Sequence, residues 1–421
     1  MNYNEALNFI HSVSNFFCKP GLDRIKELCS ALGNPQDKLR FVHVAGTNGK
    51  GSFCAFLTEI LKNANYKVGT YTSPYILDFC ERIAINGNPI GRDTLAEITA
   101  EVKAVCDKMT DKPTEFEIIT AIGFKYFERE GCDIVVLECG LGGRLDATNL
   151  IFSPELSVIT GIDFDHQAFL GNTIKEIALE KAGIIKPNIP CLWCGDNAEA
   201  EAVIKCEALQ KNAPIYSVNH GEIEIIKTDL CETVFNFKDY KGLEIGLLGS
   251  YQPKNAANAV TAARLLRERG FKIEKEDVFC GLKNTRWSAR FERLSSDPLI
   301  IFDGAHNPQG VTQAVSSIKL YFGDKKVNVL SGVMADKDYK FIAKTISRVA
   351  NRVYCITAPN PRALSAEDYA EVYTSLGTSA TAYKSMNDAL SEAVNDSKNG
   401  VPLIILGSLY TYADVFSFLN K

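Results

Sequence analysis

Residues 41–61 read FVHVAGTNGKGSFCAFLTEIL, and this stretch decides the fold class. Its first five residues predict a strand, and apolar residues at helical spacing predict a helix over 51–64. Between them, AGTNGKGS (45–52) departs twice from the usual phosphate-loop pattern, because Val44 replaces a glycine and Gly51 replaces Ser or Thr. A helix start with Lys50 favours phosphate, but the motif alone is equally compatible with a tight turn.

Strand and helix patterns continue to alternate on both sides of this loop. Strands are predicted at 67–72, 133–140, 156–162 and 189–195, and helices at 115–130 and 174–185. Such alternation predicts a parallel sheet covered by helices. Residues 222–247 have period-2 stretches that predict antiparallel strands at a sheet edge, followed by a helix over 253–269.

Residues 283–298 are polar and irregular, and we interpret them as a linker. Beyond them, strands predicted at 299–306, 326–333, 352–359 and 402–408 alternate with helices near 308–321, 338–350, 365–376, 386–396 and 410–420. A chain of 421 residues is too long for one ordinary core. The expected fold class is α/β, with a P-loop ATPase-like, mostly parallel sheet domain over 1–288 and a smaller doubly wound domain over 289–421.

Composition narrows the function class. A net charge of −5 argues against non-specific nucleic-acid binding. The N-terminal MNYNEALNFI has no secretory pattern, and no stretch approaches the length of a membrane span. Thirteen scattered cysteines favour free thiols in a reducing cytoplasm, and Cys191 with Cys194 is interpreted as part of an apolar strand. We expect a cytoplasmic protein without nucleic-acid or membrane partners.

Several polar residues follow predicted strands, where open α/β sheets bind ligands. Glu138 ends an apolar strand, where it could also merely have reached the rim, and His166 could join it on a metal, although a lone histidine is more often structural. Lys181 lies in an apolar helical stretch, where a pairing with Glu180 or a nearby acid is the preferred interpretation and a neutral nucleophilic amine the alternative. DGAHNP (303–308) follows another strand, and Asn255 and Arg290 are weak candidates alone.

Seven ordered motifs together resemble the dihydrofolate synthase/folylpolyglutamate synthase family of the Mur ligase group. They are HVAGTNGKGS, TSPYILDFCERIAINGNPI, TEFEIIT, ECGLGGRLDATN, DHQAFLGNTIKEIALEKAGIIKP, DGAHNP and GSLY. The family's loop ends in Gly-Lys-Gly-Ser/Thr, so both departures from the common rule are expected. The resemblance implies an ATP-binding domain and a Rossmann-like glutamate-ligase domain.

The resemblance also implies a role for each matched position. The residues matched to ATP contacts are Gly46, Thr47, Asn48, Gly49, Lys50, Gly51, Ser52, Asn255, Arg290 and Asp303. The positions matched to two Mg²⁺ ions are Ser73, Glu138, His166 and Lys181, the last as a carbamate. The positions matched to folate and glutamate are Thr114, Glu115, Phe116, Glu117, Arg144, Leu145, Asp146, His306 and Ser408. Lys50, Lys181, His166 and His306 are the expected catalytic residues.

The implied activity is ATP-dependent ligation of L-glutamate to dihydropteroate and to tetrahydrofolate polyglutamates through an acyl phosphate. Retention of Arg144-Leu145-Asp146 favours both activities in one enzyme. We expect this enzyme to be a monomer. Two departures are Ser288-Ala289, where relatives often have Pro-Gly, and Tyr75, where many have His. The alternatives are an enzyme with polyglutamylation activity alone, a Mur-type ligase of another carboxylate, and a non-catalytic nucleotide-binding protein. The Mur-type ligase is disfavoured, because it should have an N-terminal UDP-sugar domain and only about forty residues precede the loop.

Overall fold

A computed structural model of the chain describes residues 1–13 and 21–420. Within these residues the α-helices are α1 (Tyr3–His11), α2 (Asp23–Ala31), α3 (Lys50–Asn63), α4 (Arg92–Cys106), α5 (Glu115–Arg129), α6 (Gln167–Leu170), α7 (Ile174–Ala182), α8 (Ala198–Gln210), α9 (Gln252–Glu268), α10 (Lys275–Asn284), α11 (Pro308–Phe322), α12 (Tyr339–Ile346), α13 (Ala366–Ser375), α14 (Met386–Ser397) and α15 (Tyr412–Leu419).

The strands of the same residues are β1 (Phe41–Ala45), β2 (Val68–Tyr71), β3 (Ile83–Ile85), β4 (Asn88–Pro89), β5 (Ile134–Glu138), β6 (Leu156–Ile159), β7 (Cys191–Trp193), β8 (Ile215–Ser217), β9 (Ile223–Thr228), β10 (Thr233–Phe237), β11 (Tyr240–Ile245), β12 (Glu292–Ser296), β13 (Leu299–Asp303), β14 (Val327–Ser331), β15 (Ala350–Ile356), β16 (Ala380–Tyr383) and β17 (Leu403–Leu406).

The chain forms two compact units. The first contains residues 1–221 and 255–284, and the second contains residues 222–254 and 285–421. The chain therefore passes between the units three times. The domain boundary after residue 288 that the sequence predicts remains a proposal.

The first unit is built on an eight-stranded sheet with the order β4-β3-β2-β5-β1-β6-β7-β8. Its strands run parallel except for β3, which pairs antiparallel with both β2 and β4 at one edge. β1 and β5 are buried along their whole length because helices cover both faces. The apolar runs at 41–45 and 134–138 are thus central strands, as their continuous hydrophobicity predicts.

Local sequence signals explain where the helices of the first unit begin. Thr114 and Glu117 form a reciprocal capping box before α5, and Thr173 and Glu176 do the same before α7. Helix α3 has a different start, because Gly49 in a left-handed conformation precedes it and no side chain caps it. This exception is the glycine loop of the sequence analysis.

The second unit contains two sheets. β9, β10 and β11 are antiparallel, as predicted for residues 222–247, but they form a sheet of their own and not the edge of another sheet. The other sheet has the order β12-β13-β17-β14-β15-β16, and only β12 is antiparallel. The mostly parallel α/β character predicted for both parts of the chain is confirmed.

Several elements were not predicted from the sequence, among them the helices α4 and α8 and the short strands β3, β4 and β8. Residues 292–296, assigned to the linker, form edge strand β12, whose polar sequence ERLSS lacks the apolar alternation of a half-buried strand.

Of the thirteen cysteines, Cys18 lies outside the described residues, and the other twelve are free thiols. In residues 1–13 and 21–420, no helix is long and apolar enough to cross a membrane.

Candidate active site

The glycine loop connects β1 to α3, and close packing explains its glycines. A Cβ added at Gly46 would lie 1.7 Å from Thr160 Oγ1, and one at Gly49 would lie 2.8 Å from Asn255 Oδ1. Gly49 also has a φ of 87°, which side chains rarely tolerate. The structure therefore places Asn255 directly beside the loop. The N-terminus of α3 opens at this loop, and a helix N-terminus favours an anion.

The segment after β6 holds the loop from the other side. Thr47 N donates to Gly161 O at 2.8 Å, and Asp163 N donates to Thr47 Oγ1 at 3.1 Å. Thr160 Oγ1 donates to Asn48 O at 2.8 Å. These contacts hold the backbone of the glycine loop in one conformation.

Lys50 turns its side chain back over the loop. Its Nζ donates to Gly46 O at 3.1 Å and to Thr47 O at 3.3 Å. The same Nζ lies 3.8 Å from Glu138 Oε1. Gly51 and Ser52 follow Lys50 in the first turn of α3, and Ser52 is buried. The loop thus contains a half-buried cation next to a carboxylate.

Glu138 and Ser73 meet at the carboxyl edge of the sheet. Glu138 is the last residue of β5 and is only 4% exposed, while Ser73 follows the neighbouring strand β2. Ser73 N donates to Glu138 Oε2 at 3.2 Å. An acidic residue this buried is costly unless charges or donors stabilise it, and Lys50 and Ser73 supply both.

His166 lies on the loop between β6 and α6. Its backbone is left-handed, with a φ of 50°, and its side chain is 47% exposed, with Nε2 3.9 Å from Asp165 Oδ1. In the described part of the chain, no group of three or more His, Cys, Asp or Glu side chains is arranged to hold a metal ion. A shared metal for His166 and Glu138 remains a prediction.

Lys181 is buried beneath the glycine loop. It lies in the last turn of α7, is 4% exposed, and its Nζ donates to Gly46 O at 2.9 Å. The alternative that it pairs with Glu180 does not hold, because Glu180 pairs with Arg144. Burial first, and then the nearby charge of Lys50, lower the pKa of Lys181 to about 7. A large fraction of neutral amine is therefore present at neutral pH.

The loop after β5 is held by its own acidic residue. Asp146, which is buried, accepts from Leu141 N at 2.8 Å and from Thr148 N at 3.0 Å. Arg144 is exposed and forms its ion pair with Glu180, while Leu145 is 43% exposed. Within the Arg-Leu-Asp triplet, Arg144 and Asp146 are thus engaged in contacts within the protein, and Leu145 presents an exposed apolar side chain.

The TEFE segment (114–117) lies beside that loop. Its Phe116 is so close to Gly140 that a Cβ there would lie 2.5 Å from Phe116 Cζ. Glu117 is buried and accepts from Arg24 Nε at 3.1 Å and from Thr114 N at 2.6 Å. Glu115 lies 3.4 Å from His11 Nδ1. The TEFE segment thus packs against the loop after β5. Direct contact between this segment and the substrate remains a prediction.

Asp303 and Arg290 come together in the second unit. Asp303, at the end of β13, is buried and accepts from Tyr251 OH at 2.7 Å and Phe291 N at 3.0 Å. Burial raises the pKa of Asp303. Arg290 Nη1 would lie 2.7 Å from a Cβ at Gly304. Asp303 therefore fixes the backbone next to Arg290.

His306 and Ser408 belong to adjacent loops of the same unit. β13 and β17 are parallel neighbours, and Gly407 N donates to Ala305 O at 3.0 Å. His306 Nδ1 lies 2.8 Å from Gly304 O, and Ser408 Oγ accepts from Tyr410 N at 3.2 Å. The structure thus brings together the two loops that carry the positions matched to glutamate.

Comparison with known proteins decides the family. Residues 44–263 match the Mur ligase middle domain, and residues 289–409 match the Mur ligase glutamate ligase domain. Dihydrofolate synthase/folylpolyglutamate synthase of Bacillus subtilis (strain 168) is 37% identical over 426 residues, with 98% of each chain covered. The chain belongs to the dihydrofolate synthase/folylpolyglutamate synthase family of Mur ligases.

Solved members of the family have the same fold. An FPGS–AMPPCP–folate complex superposes with a TM-score of 0.88 at 33% identity, covering 100% of both chains. Escherichia coli FolC in complex with DHPP and ADP has a TM-score of 0.88 at 28% identity, covering 100% of this chain and 98% of that one. The predicted family and fold class are confirmed.

Some functional contacts of this family member were missed from the sequence. Thr160 touches the glycine loop, and Tyr251 contacts Asp303, but neither lies in a motif with a recognisable spacing. His43 stands inside the first motif, yet a histidine in an apolar strand gives no functional signal by itself. Its contacts become visible only when β1 and β5 pair, because partners such as Cys139 are distant in sequence.

Proposed function

We propose that the protein is an ATP-dependent ligase that joins L-glutamate to dihydropteroate and to the γ-carboxylate of tetrahydrofolate polyglutamates. One observation carries the proposal: Lys50 leads from the glycine loop and lies 3.8 Å from Glu138 at the adjacent strand end. That pairing combines a phosphate-binding cation with an acidic residue on a buried rim.

The relatives support the choice of ligands. The solved complexes contain AMPPCP, ADP, folate and DHPP, and the Bacillus subtilis relative is named for both activities. The second family model is a glutamate ligase domain. ATP, a folate or pterin, and L-glutamate are therefore the ligands we assign to this chain.

The chemistry requires activation of a carboxylate, because its leaving group would otherwise be an oxide. A substrate carboxylate oxygen attacks the γ-phosphorus of ATP, the bond to the β-γ bridging oxygen breaks, and ADP leaves. The glutamate amine then attacks the acyl carbon, the bond from that carbon to the phosphate oxygen breaks, and the amine loses a proton. Lys50 and the N-terminus of α3 orient the phosphates and offset the charge that develops.

The rim also fits Mg²⁺ in its donor chemistry. Hard cations prefer carboxylate and hydroxyl oxygens, and Glu138 with Ser73 supplies both types within one hydrogen-bonded pair. These two residues, with His166, would hold one ion. When bound, Mg²⁺ supplies positive charge opposite the phosphoryl oxygens.

Lys181 would hold a second ion only as a carbamate, because an ammonium group cannot bind a cation. Its pKa of about 7 provides the neutral amine that reacts with CO₂. Nζ attacks the carbon of CO₂, an N–C bond forms as one C–O π bond breaks, and the nitrogen releases a proton to solvent. The carbamate would add anionic oxygen donors beyond Nζ. We include this modification in the proposal.

On the second unit we assign Arg290 and Asp303 to ATP, and His306 and Ser408 to the incoming glutamate. The Asp303 carboxylate already accepts hydrogen bonds from Tyr251 OH and from the backbone N–H of Phe291. Its contribution is therefore to hold Arg290 in place. His306 and Ser408 lie on adjacent loops at the carboxyl edge of the parallel strands, where α/β sheets bind small ligands.

ADP release tests the proposal. We would measure it with dihydropteroate, tetrahydrofolate or a UDP-muramoyl carboxylate, each with and without glutamate. Turnover that requires glutamate and either pterin substrate is expected. Turnover with tetrahydrofolate alone would restrict the enzyme to polyglutamylation, and turnover only with the muramoyl substrate would overturn the folate assignment.

A further inference from the structure

A buried polar chain connects the strand before the glycine loop to Asp146. Thr148 Oγ1 donates to Asp146 Oδ1 at 2.5 Å and lies 2.9 Å from His43 Nε2. Cys139 Sγ lies 3.1 Å from the same His43 nitrogen. His43, Cys139, Thr148 and Asp146 are all buried, and we call these four residues the His43 relay.

The protons of the His43 relay can be assigned from donor arithmetic. A threonine hydroxyl has one proton, and Thr148 donates it to the acceptor carboxylate of Asp146. The same hydroxyl also lies 3.4 Å from Cys139 Sγ, but its shorter contact is with the Asp146 carboxylate. Thr148 Oγ1 is then an acceptor toward His43, which assigns the imidazole proton to Nε2. Burial lowers the pKa of His43 to about 3, which keeps the ring neutral. Its Nδ1 has no hydrogen-bond partner, as expected for the unprotonated nitrogen.

We propose that His43 is a positioning residue that fixes the Asp146 loop for the pterin-bearing substrate through Thr148. This inference rests on the proposed function, because that function makes the 140–146 loop a substrate-binding element. Two strands and the loop converge in the relay: His43 lies in β1, Cys139 directly follows Glu138 of β5, and Asp146 caps the turn at Ala147–Leu150. The relay therefore ties the substrate loop to both strands that end at the nucleotide.

The relay predicts a selective kinetic effect. Thr148→Val removes the hydroxyl at nearly constant volume, and Thr148→Ser retains it. Losing a hydrogen bond to a charged group should raise the KM for dihydropteroate about ten-fold, while kcat and the KM for ATP stay within about two-fold of the parent. Thr148→Ser should restore the parental KM.

Thr58→Val is the matched control. Thr58 is also a buried threonine, and its hydroxyl lies 2.9 Å from that of Thr70, away from the relay. It should leave the KM for dihydropteroate unchanged. Equal effects of Thr148→Val and Thr58→Val, or an equal rise in the KM for ATP, would reduce the relay to general packing and overturn the proposal.

A second measurement does not depend on substrate turnover. The protein contains five histidines, so ring ¹⁵N shifts of histidine-labelled protein can be assigned with His43→Gln. A neutral ring protonated on Nε2 is expected, with an altered Nε2 shift in Thr148→Val. A ring protonated on Nδ1 would overturn the relay even in an active enzyme. Absence of dihydropteroate-dependent ADP release in the parent, with the expected ¹⁵N shifts, would instead remove the proposed function.

Discussion

Substitution of Lys50 is the most direct test of the proposal that the glycine loop binds ATP. We expect Lys50→Ala to fold and to lose roughly 10²–10³ in kcat, because one preorganised electrostatic contact is worth about that much. Lys62→Ala is the control, since Lys62 lies on the same helix and pairs only with Glu59 in an exposed ion pair. Near-parental ATP turnover in folded Lys50→Ala would contradict the assignment of the loop.

Lys181 tests the carbamate. With ¹³C-bicarbonate, we expect a carbamate carbon signal in the parent that is lost in Lys181→Arg, because arginine does not form this group. Lys186→Arg is the matched control, as burial also lowers the pKa of Lys186, to about 8. The signal should survive in that variant. A fully active Lys181→Arg enzyme would show that a simple cation suffices at this position.

Ala289 tests the cost of the departure from the family's Pro-Gly. It has a φ of 59°, and Phe291 on the other side of Arg290 has a φ of 47°. A left-handed L-residue costs roughly 1–2 kcal/mol, which exceeds the entropic cost of glycine. Ala289→Gly should therefore raise the unfolding free energy by up to about 1 kcal/mol in denaturant titrations.

An alanine inside a helix serves as the control, because its replacement by glycine should change the unfolding free energy in the opposite direction. Ala370→Gly, inside α13, should lower the unfolding free energy by about 0.5–1 kcal/mol or more. If Ala289→Gly were destabilising to the same extent, backbone strain would not explain residue 289. Glu292 and Asp303, which accept from Ala289 N at 2.7 Å and Phe291 N at 3.0 Å, would then hold this backbone without measurable strain.

At the scale of elements, Asp146 tests whether the loop after β5 separates the two substrates. Asp146→Ala removes the acceptor of Leu141 N and Thr148 Oγ1, so the loop should loosen. We expect kcat/KM to fall more for dihydropteroate ligation than for tetrahydrofolate glutamylation. The comparison uses one preparation, with Asp229→Ala in the exposed turn between β9 and β10 as control. Equal losses for both substrates would remove the specificity argument.

Central apolar strands and a capped helix were predicted closely, whereas the amphipathic helix α4 and the elements defined by pairing were missed. The apolar runs of β1 and β5 and the capped helix α5 gave bounds within one or two residues. β12 was missed because its sequence is polar and its strand character comes from pairing with β13. The local sequence pattern also does not specify which strands pair, so it could not predict that β9, β10 and β11 form a separate sheet.

Contacts among the candidate site residues were predictable where family motifs end neighbouring strands. The positions of Lys50, Glu138 and Ser73 at one edge follow from parallel strands, and the structure places them in contact. The partner of Lys181 was not predictable, because Gly46 is 135 residues away and the adjacent Glu180 looked more probable. The sequence-adjacent acid is taken by Arg144, which only the folded loop brings close.

At the scale of the whole molecule, Lys181 links protonation to global stability. Its pKa is about 7 in the folded chain, against an ordinary value of 10.5, so the unfolded chain binds more protons between these values. The unfolding free energy contributed by Lys181 therefore rises with pH across this window. In CO₂-free buffer, the parent should gain stability relative to Lys181→Met as pH rises from about 7 to 9.

Lys62→Met, which removes an exposed ammonium, should run parallel to the parent over the same pH range. Both variants are needed, because buried thiols and tyrosines titrate in the alkaline range and affect every protein in the series. A parent and Lys181→Met pair with the same pH slope would show that the buried ammonium is already compensated.

The three passages of the chain between the two units have a consequence for synthesis on the ribosome. Residues 1–221 emerge first, but Asn255, which touches Gly49, and Gly281, which packs on Ile60, emerge later. At typical elongation rates the intervening 63 residues (222–284) take on the order of 3–13 s to appear. For the first 34 of these residues (222–255) the nascent protein carries the glycine loop without its neighbouring asparagine, and Gly281 follows only after about two thirds of translation. Under the proposed function, we expect nucleotide capture by the growing chain to wait until this part has emerged.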